Sequence, residues 1–242
     1  HYNKPTREIE TPHLKAAVPY AGGRIKVFFI ATRFAVRPAI EVCQRFDVDE
    51  RYALLYSPKR IDNPGDPDGI SGQEALCYAP GVEKELVLAA LAAGLEWKPD
   101  VICLHGVPWG TLPADVREEI LKQVKDGAGL VGWQVGSSED AGFVTSVFGA
   151  GAADAEATNS ILSCVPEKTV YRFNGTQART AGQAGRAVQL YNKAAEGLFS
   201  YLHDEDLYSL IGRGVLWAAG RDPRTKIDVA VDQKSCRVKL RG

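Results

Sequence analysis

The chain has 242 residues, of which 45% are hydrophobic and 24% are charged, a composition typical of one large globular domain or of one domain with appendages. The formal net charge of -1 gives no electrostatic reason to expect a nucleic acid or an anionic membrane surface as a partner. No stretch approaches the roughly 20 consecutive apolar residues of a membrane-spanning helix, so we expect no membrane segment.

Methionine and cysteine usage bear on the origin and the chemistry of the chain. The sequence contains no methionine and begins at His1, which predicts a processed or excised piece of a longer protein. Its five cysteines are scattered, with no C-x-x-C pair and no Cys/His cluster. We therefore expect no disulfide scaffold, no metal site and no cofactor. The compartment stays open, and secretion or a bacterial periplasm is compatible with the sequence.

The first part of the chain predicts an extended segment followed by alternating strands and helices. Residues 1–23 contain three prolines and should be extended and irregular. The apolar run Ile25–Ile30 is typical of a strand that is buried on both faces. A helix is predicted over Pro38–Phe46 and a second strand over Tyr52–Ser57. The long loop over 58–80 is either a functional lid or a plain surface connection.

A β-turn-helix-β pattern occupies the middle of the chain. An Ala- and Leu-rich helix over Val82–Leu95 precedes the apolar strand Val101–Leu104, which ends at His105-Gly106. A helix over Pro113–Asp126 follows, with proline in its first turn and apolar residues on one face, and Gly129–Trp133 is the next strand. This alternation predicts a parallel sheet with right-handed crossovers.

The last third of the chain carries weaker patterns. Strands are predicted over Thr169–Phe173 and Arg186–Tyr191, and a helix with a broad apolar face over Glu205–Ala219. Ile227–Asp232 and Cys236–Leu240 alternate apolar with polar residues, as half-exposed antiparallel strands do. They predict a β hairpin, or the start of a β-rich domain that the sequence truncates.

The segment over residues 99–136 resembles a known family. It consists of Pro-Asp-Val-Ile-Cys-Leu-His-Gly, an amphipathic helix and Gly-Ala-Gly-Leu-Val-Gly-Trp-Gln-Val-Gly. These motifs are similar to the core of class I glutamine amidotransferase-like domains, above all to ThuA-like proteins and to the trimerisation domain of family 42 β-galactosidases. The stretches 23–37 and 207–223 are similar to amidotransferase-like proteins of bacteria that degrade polysaccharides.

The resemblance implies a fold class and a division of the chain. It covers residues 24–223, for which it implies an α/β domain with a flavodoxin-like, doubly wound parallel sheet and helices on both faces. Residues 1–23 would be an extended N-terminal segment, and residues 224–242 a C-terminal β hairpin or the start of a truncated β domain. The resemblance to a trimerisation domain implies self-association, so we expect a homo-oligomer.

The nucleophile of the resembled family is missing. Its catalytic members place a cysteine in a G-x-C-x-G turn between a strand and a helix, where the strained turn exposes the sulfur. The matching segment here is Gly132-Trp133-Gln134-Val135-Gly136, and glutamine has no nucleophilic atom. His203 is the only histidine that follows, so a Cys-His-Glu triad is absent. Cys103 and Cys43 fit core positions instead. The chain should not be an active glutamine amidotransferase.

A set of polar and aromatic residues is nevertheless predicted at the carboxyl ends of the strands, where open α/β sheets bind ligands. These candidates are Thr32, Arg33, His105, Trp109, Gln134, Ser137 and Glu139. They offer a base or donor, a cation, a ring and an amide, which suit a sugar or a small carboxylate. In the alternative interpretation the charged groups are solvated, His105 hydrogen-bonds a loop and Trp109 packs against a neighbouring domain.

Two functions follow as hypotheses. The first is a non-catalytic amidotransferase-like domain of a larger, carbohydrate-related protein, serving assembly or small-ligand binding. The second is a sugar-directed hydrolase or isomerase that uses His105 and Glu139 as catalytic groups. A glycosidase normally needs two well-placed carboxylates. Only Glu139 and Asp140 lie near the predicted rim, and adjacent residues of a helix point in different directions, which counts against the enzyme.

Overall fold

The structure is a computed structural model, and it describes residues 22–32, 36–55, 84–107, 109–133, 177–181, 185–190, 205–221, 226–231 and 236–241. The strands are β1 (Ile25–Thr32), β2 (Val48–Leu55), β3 (Val101–His105), β4 (Gly129–Trp133), β5 (Gln177–Ala181), β6 (Gly185–Leu190), β7 (Lys226–Val231) and β8 (Cys236–Arg241). The α-helices are α1 (Val36–Arg45), α2 (Lys84–Glu96), α3 (Ala114–Lys125) and α4 (Glu205–Ala218). A 3-10 turn, Trp109–Thr111, lies between β3 and α3.

Six of these strands form one sheet in the order β2-β1-β3-β4-β6-β5. The first five run parallel, and β5 pairs antiparallel with β6 at the edge. If only the five parallel strands are numbered in chain order, so that β6 is the fifth, their order in the sheet is 2-1-3-4-5, which is the flavodoxin-like order. The predicted fold class is therefore confirmed. The hairpin β7–β8 is also confirmed, as a separate antiparallel sheet of two strands.

The sheet is covered by helices on both faces, and its alternating side chains divide the core in two. One apolar cluster joins the sheet to α1 and α4, and the other joins it to α2 and α3. On β3, Cys103 belongs to the first cluster, whereas Ile102 and Leu104 belong to the second. Because β3 is buried on both faces, its sequence is a continuous apolar run rather than an alternating one.

Two glycines let helices approach their neighbours closely. A Cβ atom at Gly94 of α2 would lie 2.1 Å from Cζ of Phe28 on β1. A Cβ atom at Gly212 of α4 would lie 2.0 Å from Cε2 of Phe46, just after α1. Both distances are far below the carbon–carbon contact distance. The packing of α2 on the sheet and of α4 on the end of α1 therefore requires a glycine, with no Cβ atom, at each of these positions.

Most predicted elements are found within two residues of their predicted ends, with two exceptions. The second strand begins at Val48, four residues before the predicted Tyr52, and the antiparallel edge strand β5 is not predicted at all. Arg24 forms an ion pair of 2.9 Å with Asp47, just before β2, and one of 2.8 Å with Asp49, which lies inside the strand. The predicted strand Thr169–Phe173 and most of the predicted N-terminal segment lie outside the described residues.

Candidate functional site

The sheet order creates a crevice between β1 and β3. The chain leaves β1 for β2 on one side and later enters β3 on the other side, which makes this pair the topological switch point. Ala31 is in register with His105, so Thr32 and Gly106 continue the two strands on either side of the crevice. Only residues 33–35 separate β1 from α1. Ligands of open α/β sheets bind at such a point.

His105 lies at this carboxyl edge, with its side chain directed into the core. It is fully buried, and its ring meets Phe29 edge-on, with 5.6 Å between ring centroids. Phe29 in turn stacks on Tyr52 at 5.4 Å, and the Tyr52 hydroxyl lies 3.2 Å from Sγ of Cys43. The imidazole is therefore part of the packing between the sheet and α1.

Burial determines the protonation state of His105. Desolvation lowers the pKa of this histidine from 6.5 to about 3, because a charged imidazolium is disfavoured in the core. The ring is therefore neutral at physiological pH. Gly106 follows with φ of 63°, a left-handed conformation that turns the backbone away at the end of β3.

Cys103 has the environment of a core residue. It is fully buried two residues before His105, on the same face of the sheet. Burial raises the pKa of its thiol, and the nearby Cys43 raises it further. A nucleophilic cysteine needs the opposite shift, since the thiolate is the reactive form. The prediction that Cys103 is a buried core residue is confirmed.

Trp109 lies in the 3-10 turn after β3, but its side chain packs on the other face of the sheet from Cys103. It belongs to the apolar cluster beneath α2 and α3, together with Val107 and Leu112. His105 contacts Phe29, which belongs to the cluster beneath α1 and α4. The structure therefore does not bring the two rings together, and a ligand contact by either ring stays a prediction.

The remaining predicted site residues are placed only in part. The backbone of Thr32 ends β1 at the crevice. Trp133 is in register with His105 and ends β4, so the chain leaves the sheet beside His105 immediately before Gln134. Arg33, Gln134, Ser137 and Glu139 lie outside the described residues. Their convergence on one ligand stays a prediction.

An ion cluster on α1 is not predicted from the sequence. Glu41 is fully buried and forms salt bridges with Arg37 and Arg45, one helical turn away on either side. The Arg45 guanidinium also lies 4.9 Å from the ring centroid of Tyr208 on α4. The spacing R-x-x-x-E-x-x-x-R could have predicted this ion cluster, because residues four apart in sequence are neighbours on the surface of a helix. Through the contact of Arg45 with Tyr208, the cluster holds α1 against α4.

Two searches of the described parts of the chain bear on the function classes. No group of three or more His, Cys, Asp or Glu side chains that could hold a metal ion occurs there. Nor is any helix among these residues long and apolar enough to span a membrane.

Comparison with known proteins adds no family to these observations. No protein-family model matches the sequence, and a search of curated proteins finds no similar protein.

Proposed function

We propose that the chain is a non-catalytic, amidotransferase-like α/β domain of a larger, carbohydrate-related protein. In this proposal it serves assembly or small-ligand binding, with the ligand at the switch point between β1 and β3. The observation that supports it most is the burial of His105, which stands at the ligand-binding edge of the sheet with its imidazole inside the core.

A catalytic base needs access to its substrate and a pKa near the working pH. His105 has neither property, since it is fully buried and its pKa is about 3. Cys103, the other group on this strand with catalytic potential, is a buried thiol whose pKa is raised. Both observations count against the alternative, a sugar-directed hydrolase or isomerase that uses His105 and Glu139.

The ligand classes follow from the residues that the sequence brings to the crevice. Arg33 continues the chain from β1, and Gln134 continues it from β4. A guanidinium and an amide suit the oxygens of a small carboxylate or a sugar. The other proposed role is assembly into a homo-oligomer, which the resemblance to a trimerisation domain suggests.

Turnover assays test the non-catalytic part of the proposal. Wild type, His105→Gln and the surface control Glu118→Gln are assayed for ammonia release from glutamine, hydrolysis of p-nitrophenyl glycosides and aldose–ketose isomerisation. We expect no turnover above background in any of the three proteins. Turnover that is lost in a folded His105→Gln protein and kept in Glu118→Gln would overturn the proposal.

Binding is tested separately. Amide resonances are followed by NMR during titration with a panel of monosaccharides and small carboxylates, and the mass in solution is measured by sedimentation. We expect either shifts concentrated at Thr32, Gly106 and Trp133, or a self-associated state. A monomer without such shifts would contradict both forms of the proposal.

A further inference from the structure

The register of the β7–β8 hairpin gives its two faces opposite character. Residues pair directly across the two strands, and alternate pairs share a face. The pairs of one face are apolar, namely Ile227–Leu240, Val229–Val238 and Val231–Cys236. The pairs of the other face carry the charged residues, namely Lys226–Arg241, Asp228–Lys239 and Ala230–Arg237. The hairpin therefore has the pattern of a sheet that is buried on one face.

A hairpin of this size needs a further partner. Two strands alone are at best marginally stable in water, whereas a third strand gives a sheet that can persist. In the part of the chain that the structure describes, β7 pairs with β8 only, and no other helix or strand packs along the hairpin. The outer edge of β7 thus offers its peptide N–H and C=O groups to a third strand.

The chain enters β1 close to the point from which it runs to the hairpin. Gly220 ends α4 with φ of 68°, and the N–H of the next residue, Arg221, donates to the Leu216 carbonyl at 2.8 Å. Nη2 of Arg221 also donates to the carbonyl of Gly22 at 3.3 Å. Gly22 lies three residues before β1, and β7 begins five residues after Arg221. The two ends of the described domain therefore meet at one junction, formed by Gly22 and Arg221.

The sequence shortly before this junction has the pattern of a short strand. Residues 14–18 are Leu-Lys-Ala-Ala-Val, with apolar residues at the first, third and fifth positions. Pro12 and Pro19 flank this run, where proline is compatible with a strand end. Val18 lies four residues before Gly22, and Ile227 lies six residues after Arg221. These links span at most about 13 and 20 Å, so both segments start close to the junction.

We propose that residues 14–18 form a third strand that pairs antiparallel with the outer edge of β7. The direction follows from the junction, because residues 14–18 run towards it and β7 runs away from it. One register puts the apolar residues of all three strands on the same face, with the pairs Val18–Ile227, Ala16–Val229 and Leu14–Val231. A shift by one residue would move Leu14, Ala16 and Val18 to the charged face. This pairing does not depend on a ligand at the switch point.

Hydrogen exchange of the 242-residue chain tests the pairing, with mass spectrometry of peptides from residues 226–241. Leu14→Asp should speed exchange of the hairpin amides about tenfold, because it places a charge on the apolar face. Lys15→Asp, which lies on the opposite face in the proposed strand, should leave exchange unchanged. Peptides from β3 and β4 should exchange alike in all three proteins, which verifies the fold. Equal hairpin exchange in wild type and Leu14→Asp would overturn the proposal.

Engineered cysteines test the register and identify the chain that supplies the strand. The double variant Ala16→Cys, Val229→Cys is oxidised with glutathione disulfide, and its products are identified by gel mobility and peptide mapping. We expect a disulfide between these two positions within one chain. The matched variant Ala17→Cys, Val229→Cys should not form it, because the two residues would be on opposite faces. No disulfide in the first variant, or equal yields in both, would refute the register. A disulfide between two chains would overturn the proposal in favour of a second copy as the occupant.

Discussion

Gly94 of α2 is the position where one added methyl group should have the clearest effect. In an exposed helix the change from glycine to alanine stabilises by about 1 kcal/mol. Here the new Cβ would lie 2.1 Å from Cζ of the fully buried Phe28, about 1.4 Å short of the roughly 3.5 Å carbon–carbon contact distance. Overpacking of a core costs up to about 3 kcal/mol. The net effect of Gly94→Ala should be a destabilisation of about 2 kcal/mol.

Urea unfolding followed by circular dichroism measures this free energy. Ala93→Gly, at an exposed position of the same helix, controls for helix propensity and should cost about 1 kcal/mol. The double variant Gly94→Ala, Phe28→Leu should be more stable than the sum of the single effects predicts, because the smaller side chain makes room. If Gly94→Ala is as stable as wild type or more stable, the close approach of α2 to β1 is refuted.

Three further predictions concern buried ionisable groups. Glu41→Gln should lower the free energy of unfolding by about 3 kcal/mol in urea, because it leaves the buried Arg45 and the half-buried Arg37 without their carboxylate, whereas the exposed Glu118→Gln should change it by less than about 0.5 kcal/mol. Cys103 should react with iodoacetamide only after unfolding in urea, as peptide mass mapping will show, and modification in the native protein would contradict its burial. The folded pKa of His105 is about 3 against 6.5 when unfolded, so the unfolded chain binds the extra proton below pH 6.5. Stability should therefore fall by about 2 kcal/mol between pH 7 and pH 5, and His105→Gln should lack this part of the loss.

The unit from β3 to β4 could be predicted closely because several local signals agree there. An apolar run with no polar interruption indicates a strand buried on both faces, and Val101–His105 is such a strand. Proline stands at the beginning of the next helix, and Gly127, with φ of 120°, ends it. Turn chemistry, periodicity and burial all indicate the same boundaries.

The edges of the sheet were harder to predict, because edge strands carry polar residues. The start of β2 contains Asp49, Glu50 and Arg51, which locally resemble a loop. Its contacts are with partners distant in sequence: Arg24 pairs with Asp49, and the Arg51 guanidinium donates to the carbonyl of Ala93 on α2. The sequence of β5, Gln-Ala-Arg-Thr-Ala, has too few apolar residues to show a period of two.

The candidate site could likewise be predicted only in part from the sequence. Strand periodicity places Cys103 and His105 on one face of β3, and the structure agrees. It could not show that Phe29 and the packing of α1 enclose the imidazole, because that depends on contacts between separate strands and helices. In the same way, a tryptophan after a strand is compatible with a stacking ring or with a core anchor, and Trp109 belongs to the core.

The central claim is that His105 is a buried neutral ring and not a catalytic base. The most direct test is an NMR titration of its imidazole resonances in the folded protein from pH 8 to pH 4, with His105→Gln used for assignment. The imidazole of His105 should show no titration above about pH 4. A titration midpoint between about pH 6 and pH 7, near the ordinary histidine value, would show an accessible base at the switch point and would contradict the burial of His105.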